Sequence, residues 1–143
     1  MSSTDQSLQI VDRLFGAVAA GDAAAAADLY ADGAVFRMAG VPRHLGGVVE
    51  GRGAIATDIE QRPPSRLEVR QVFGDGESVC AVVKRTGPVT RTQTFRGTER
   101  EFSTYECVVF KLEAGRIKEQ TTYVNWLDAY VQTGLIDLAE VLD

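Results

Sequence analysis

The sequence predicts an α+β fold: a cone-shaped, curved antiparallel sheet covered by three N-terminal helices, with a pocket between helices and sheet. Three observations lead there. From Leu8 to Ile59 the apolar residues recur mainly at helical spacing. From Leu67 to Trp126 they fall into four strand-length runs, and turn signals join those runs as two hairpins. With 143 residues, 45% of them hydrophobic and 24% charged, the chain suits one domain over residues 1–143 that needs no metal or disulfide staple.

The elements follow in order. Ser7–Ala20 reads as an amphipathic helix, because Leu8, Val11, Leu14, Phe15 and Val18 share one face, and Gly21 ends it. Asp22 can cap a second helix, Ala23–Tyr30, rich in helix-forming alanine. After the Asp32-Gly33 turn comes a short strand, Ala34–Met38. Gly40–Gly47, with Pro42, Arg43 and His44, reads as a loop, and Val48–Gly51 as a brief strand end. A third helix spans Gly53–Glu60 and is stopped by Pro63-Pro64. Leu67–Phe73 and Ser78–Arg85 form a hairpin around Asp75-Gly76, and polar Thr86–Glu101 extends the next hairpin toward solvent. Phe102–Leu112 and Ile117–Trp126 pair around Glu113-Ala114-Gly115, and the tail, Leu127–Asp143, gives one or two short helices broken at Gly134. Hairpins in series make an antiparallel sheet with one face to bury, and the helical stripes must cover that face. Twist bends so long a sheet into a half-cone, which leaves a cavity.

Composition removes several function classes. The net charge of −5 argues against a nucleic-acid partner and favours a small apolar or weakly polar molecule held in a cavity. Cys80 and Cys107 sit inside strand runs, and with His44 as the one histidine no zinc site of the usual type can be assembled. The two cysteines are read as buried, reduced thiols. No motif asks for a cofactor: there is no Gly-rich phosphate loop, nucleophile elbow or Cys–His arrangement. Met1–Gln6 is too short and polar for a signal peptide, and no apolar run reaches the roughly 20 residues of a membrane span, so a cytoplasmic protein is expected.

Phe15–Asp22 (FGAVAAGD), Leu29–Val35 (LYADGAV), Glu50–Ile55 (EGRGAI) and the pair Val108–Leu112 with Gly115-Arg116-Ile117 resemble the nuclear transport factor 2-like superfamily. Within it, the SnoaL-like and ketosteroid-isomerase-like group is most similar. The resemblance covers nearly the whole chain and implies the fold far more sharply than the function, since the fold hosts isomerases, dehydratases, cyclases, epoxide hydrolases and plain binding modules. By that resemblance Leu14, Met38 and Val108 occupy the positions of the isomerase tyrosine, aspartate base and late-strand acid, so that chemistry is lost. The epoxide-hydrolase pattern fails as well: Ala81–Arg85 carries no acid, and Thr122 stands where the second aspartate belongs.

The resemblance also places Val108 on the concave face, and strand alternation carries Thr104, Glu106, Gln120, Thr122 and Trp126 with it. A three-residue loop at Glu113–Gly115 would set Val108 opposite Gln120, Glu106 opposite Thr122, Thr104 opposite Val124 and Phe102 opposite Trp126. Glu106 is then the acid expected inside the cavity, with Gln120 and Thr122 to orient it and Phe36, Met38, Phe102 and Trp126 as apolar walls. A carboxylate there suits proton transfer; the alternative is a wet strand end or an arginine partner. His44 is either a proton shuttle at the pocket mouth or an exposed loop residue. Arg85, Arg91, Arg96 and Arg100 either gather at the mouth to hold an acidic substrate or are solvated strand residues. Tyr30 reads as core, with a hydroxyl able to reach the cavity. Ser103, Tyr105, Cys107, Thr121, Tyr123 and Asn125 fall on the convex face, through which many relatives dimerise, so a homodimer is expected there.

Two functions remain open. One is a proton-transfer enzyme (cyclase, dehydratase, isomerase or epoxide-opening) acting on a largely apolar substrate through Glu106. The other is a non-catalytic ligand-binding or dimerisation module of the same fold.

Overall fold

In the structure, a computed structural model that describes residues 2–62, 65–88 and 100–142, the chain enters its first helix through a capping box. Ser2 Oγ accepts the Asp5 N–H at 3.1 Å while the Asp5 carboxylate takes the Ser2 N–H, so α1 (Ser3–Ala19) starts at Ser3 and not at Ser7. Its Val11 and Leu14 enter the core. Asp22 Oδ1 accepts the Ala25 N–H at 3.0 Å and caps α2 (Ala23–Ala27), which ends sooner than its alanines suggest because Tyr30 already belongs to the sheet. The third helix, α3 (Arg52–Gln61), inserts Ile55 into the same core.

Six strands follow the order β2-β1-β6-β5-β4-β3, with β1 (Tyr30–Ala39), β2 (Val48–Glu50), β3 (Arg66–Gly74), β4 (Ser78–Pro88), β5 (Glu101–Glu113) and β6 (Arg116–Val124). The sheet is curved and unclosed, and the helices α1–α3 pack on its inner face, as the fold class requires. One pairing departs from a purely antiparallel sheet. β1 runs parallel to β6, with Phe36 beside Gln120 and Met38 beside Thr122, since these two strands are joined by a long crossover and not a hairpin.

The β5–β6 hairpin corrects the expected register in an instructive way. Glu113 pairs with Arg116, so the turn has two residues, Ala114 and Gly115, both at positive φ (51° and 77°). That alone shifts the ladder by one residue and would turn every β6 side chain over. A bulge then adds a second shift: Lys111 pairs with Glu119 and Leu112 with Ile117, leaving Lys118 over. The two offsets sum to an even number, so the faces stand as expected although the partners do not. Val108 faces Thr122, Glu106 faces Val124 and Phe110 faces Gln120.

β6 stops at Val124. Asn125 Oδ1 accepts the Asp128 N–H at 3.1 Å and opens α4 (Trp126–Gln132), so Trp126 lies on a helix and not opposite Phe102 on a strand. Where β6 no longer covers β5, Gln132 takes its place. Its amide accepts the Ser103 N–H at 2.8 Å and donates to the Ser103 carbonyl at 2.9 Å, as a neighbouring strand would. A last short helix, α5 (Leu138–Leu142), follows Gly134. Pro63-Pro64, Arg91 and Arg96 lie outside the described residues.

Candidate active site

Between helices and sheet lies an inner cavity of about 40 Å³. α1 contributes Leu14, Phe15 and Val18, α3 contributes Ile55 and Ile59, and the sheet contributes Tyr30, Phe36, Leu67, Val108 and Thr122. Four polar side chains complete it: Arg62, Arg85, Glu106 and Gln120. A second cavity of about 220 Å³ adjoins it, sharing Val18, Ile59, Arg62 and Arg85 and adding Ser65, Glu60 and the start of α2. Arg62 and Arg85 therefore stand at the passage from the outer space to the inner one.

Glu106 is 3% exposed, and its carboxylate is held by a guanidinium fork. Arg85 Nε donates to Oε2 at 2.8 Å and Nη2 to Oε1 at 3.0 Å, while Nη1 donates to Ser65 Oγ at 2.9 Å. Strand register explains the meeting. Val83 faces Glu106 and Arg85 faces Thr104, so Arg85 and Glu106 are diagonal neighbours on the concave side, within reach of a long side chain. Two parallel charge-assisted bonds fix the carboxylate plane, and burial makes each partner indispensable to the other.

Across the cavity Tyr30 donates its buried hydroxyl to Gln120 Oε1. Burial, first of all, pushes the Tyr30 phenol well above its ordinary value of 10.0; Arg62 opposes this and Asp58 adds to it. The group is thus a proton-bearing donor. With Oε1 accepting from Tyr30, the Gln120 NH₂ is a donor that a ligand can use. At the passage, Arg62 donates from Nε to Asp58 Oδ2 at 2.9 Å and again from Nη2, and its guanidinium lies 4.7 Å from the Phe36 ring centre.

The structure brings Leu14, Tyr30, Phe36, Glu106, Val108, Gln120 and Thr122 to one cavity. Four residues expected at its wall lie elsewhere. Met38 packs against the core, Thr104 is buried beside Arg85 in the ladder, and Phe102 and Trp126 form a separate cluster with Ala129 and Tyr130. His44 is exposed, in the one-turn 3₁₀ helix Arg43–Leu45, and is not brought to Glu106. Gln120 turns to Tyr30 and does not orient Glu106; Arg85 does that. Arg85 is accordingly neither a freely solvated strand residue nor free to take an acidic substrate alone. Arg100 lies beside Gly134, where an added Cβ would come within 2.7 Å of its Nη1.

Sequence reasoning missed Arg62 and Asp58. Their signal was the four-residue spacing at the end of α3, which puts the two on one helical face. Among the described residues, no three His, Cys, Asp or Glu side chains gather as a metal site would need, and no helix is long and apolar enough to cross a membrane.

Solved structures share this architecture. A Mycobacterium tuberculosis epoxide hydrolase of the LEH-like type superposes with a TM-score of 0.74 at 17% identity, covering 97% of both chains. A proposed SnoaL-like polyketide cyclase from Jannaschia sp. CCS1 gives 0.77 at 16% identity over 94% of this chain and 95% of that one. SalBIII, an epoxide hydrolase/cyclase-like enzyme with a role in pyran ring formation in the polyether salinomycin, gives 0.68 at 20% identity over 84% and 91%. None of the curated proteins matches the sequence. At these identities the likeness is one of fold. The SnoaL-like domain model, however, matches residues 11–120, from the first helix through the strand that carries Gln120. The chain is therefore a member of the SnoaL-like domain family, within the nuclear transport factor 2-like fold.

Proposed function

We propose that this single SnoaL-like domain, taken over residues 1–143, is a small-molecule enzyme in which Glu106 accepts and returns a proton. The observation that carries the reading is a carboxylate, 3% exposed, on the wall of a largely apolar cavity and fixed in plane by Arg85. A base held in this way needs no reorganisation when it takes a proton from a bound water or from a carbon beside a carbonyl. The Gln120 amide, anchored by Tyr30, suits the substrate oxygen on which negative charge develops. Epoxide opening, cyclisation, dehydration and isomerisation all fit that division of labour, and relatives of this fold named for epoxide hydrolysis and polyketide cyclisation support it.

Size limits the substrate. The inner cavity has room for a water or two, and even with the outer one it stays below the roughly 300 Å³ of common ligand pockets. A largely apolar substrate enters as Arg62 swings off Phe36, joining the two spaces. The test is Glu106→Gln assayed on apolar epoxides, enones and polyketide-like aldehydes. We expect turnover to fall at least 100-fold, with ligand-induced rise in melting temperature retained. Equal turnover by variant and parent sinks the reading.

The second reading, a non-catalytic binding module, draws on Leu14, Met38 and Val108, which replace polar groups of catalytic relatives, and on the Arg85–Glu106 fork as a purely structural pair. It expects apolar ligands to stabilise the protein and to be recovered unchanged. In either case we read the chain as a cytoplasmic homodimer. The support for dimerisation is the outer sheet face, where Phe73, Tyr105 and Tyr123 are each at least half exposed.

A further inference from the structure

The outer face of the same strands holds a group that the cavity does not use. Cys80 pairs with Val109 and Cys107 with Val82, so the two cysteines are diagonal neighbours across the β4–β5 ladder. Diagonal Cα atoms in a sheet lie about 7–8 Å apart, yet here the two sulfurs stand 3.1 Å from each other. Both side chains are half-buried, against the expectation of buried thiols, and both are free. A disulfide needs sulfurs at about 2.05 Å and Cα atoms within about 6.8 Å, so closing the bond asks for about 1 Å of approach at sulfur and a small backbone shift along the diagonal, with the strand pairing kept.

We propose that Cys80 and Cys107 form a reversible thiol–disulfide site that takes a low-molecular-weight disulfide of the glutathione type as its oxidant. The Cys107 thiolate attacks one sulfur of the small disulfide, whose S–S bond breaks and releases one thiolate. Cys80, its sulfur already in contact, then attacks Cys107 Sγ, forming the protein disulfide and releasing the second small thiol. Two electrons pass from the protein to the oxidant, and the two cysteine protons end on the two released thiols.

The order of attack follows from the surroundings. Burial, and then the hydrogen bond with Cys107, push the Cys80 thiol up to about 11, so it attacks last, when proximity replaces nucleophilicity. The pair occupies the middle of the outer face, since Phe73 faces Cys80 and Tyr123 faces Cys107 across their ladders. A partner on that face that binds both redox forms equally would slow the exchange without moving its equilibrium, and equilibrium is what the test reads.

The 143-residue chain is equilibrated in glutathione buffers from fully reducing to strongly oxidising, acid-quenched, alkylated and weighed intact. In the most oxidising buffers most molecules should lack two hydrogens, carry no alkyl group, run as single chains on a non-reducing denaturing gel, and revert with excess glutathione. Cys80→Ser and Cys107→Ser should each abolish that species, the former leaving a glutathione adduct on Cys107. Two alkylated thiols, glutathione retained on the parent protein, or a bond between chains in the most oxidising buffer overturns the proposal.

Discussion

The two faces of β4, β5 and β6 are built from alternate residues of the same strands, yet they handle polarity in opposite ways. On the concave face Glu106, Gln120, Thr104 and Thr122 are all under a tenth exposed, and the charged member is matched by a fork from the next strand. On the convex face Tyr105 and Tyr123 are 56% and 52% exposed, and Phe73 on the edge strand is 50% exposed. The inner face leaves water and must satisfy each polar atom from within; the outer face stays in water and can leave aromatic surface open. Alternation thus lets one hairpin carry a buried polar interior and an open aromatic exterior without either constraining the other's residue types.

The sharpest way to break the comparison is Arg85→Ala. It strands a carboxylate that is 2% exposed at its side chain, and the cost should be about 3–5 kcal/mol in urea unfolding. Replacing both partners, Arg85→Met with Glu106→Leu, should recover most of that loss. If the single variant costs no more than an outer-face substitution, the inner face is not dry.

Tyr30→Phe comes next. It removes the donor to Gln120 and should cost about 1–2 kcal/mol, measured by the same unfolding curves. The same residue sharpens the comparison through pH. The folded phenol titrates above its unfolded value of 10.0, so its share of stability is fully present below that value and is lost as pH rises toward the folded one. Parent protein should therefore lose melting temperature in alkali more steeply than Tyr30→Phe, and an identical alkaline slope would contradict the burial of this hydroxyl.

The smallest effect on folding is expected outside. Tyr105→Ser with Tyr123→Ser should change chain stability by about 0.5 kcal/mol or less at each site, yet move the sedimentation equilibrium from dimer toward monomer. A monomeric parent would remove the outer face from any account of assembly.

How much of this was legible beforehand varies by mechanism. Strands and helices were, because Leu8 through Val18 repeat at helical steps and Phe102 through Leu112 alternate, and burial rewards both patterns. Glu106 was placed on the concave face by the family resemblance at Val108, from which strand alternation carries it. Its partner was not legible. The Arg85–Glu106 diagonal depends on how β4 and β5 slide past each other, and the breakers between them, Gly87-Pro88 and Gly97, do not fix that offset. Trp126 was misplaced because a large aromatic suits a strand end and a first helical turn alike; the Asn125 cap decided it. Tyr30 was assigned to a helix end by the alanines before it, a propensity that the sheet overrode. His44 drew notice by being the only histidine, which says nothing of where a loop points.

The β5–β6 hairpin sets which residues of β6 line the pocket. Its two-residue turn and its bulge at Lys118 each displace the ladder by one, and the cavity wall exists because the displacements cancel in parity. With the turn held and Lys118 drawn into a regular ladder, Gln120 and Thr122 would pass to the outside and Thr121 and Tyr123 would come in. The lining of the pocket is thus set at a distance from it, by one residue that has no partner in the ladder.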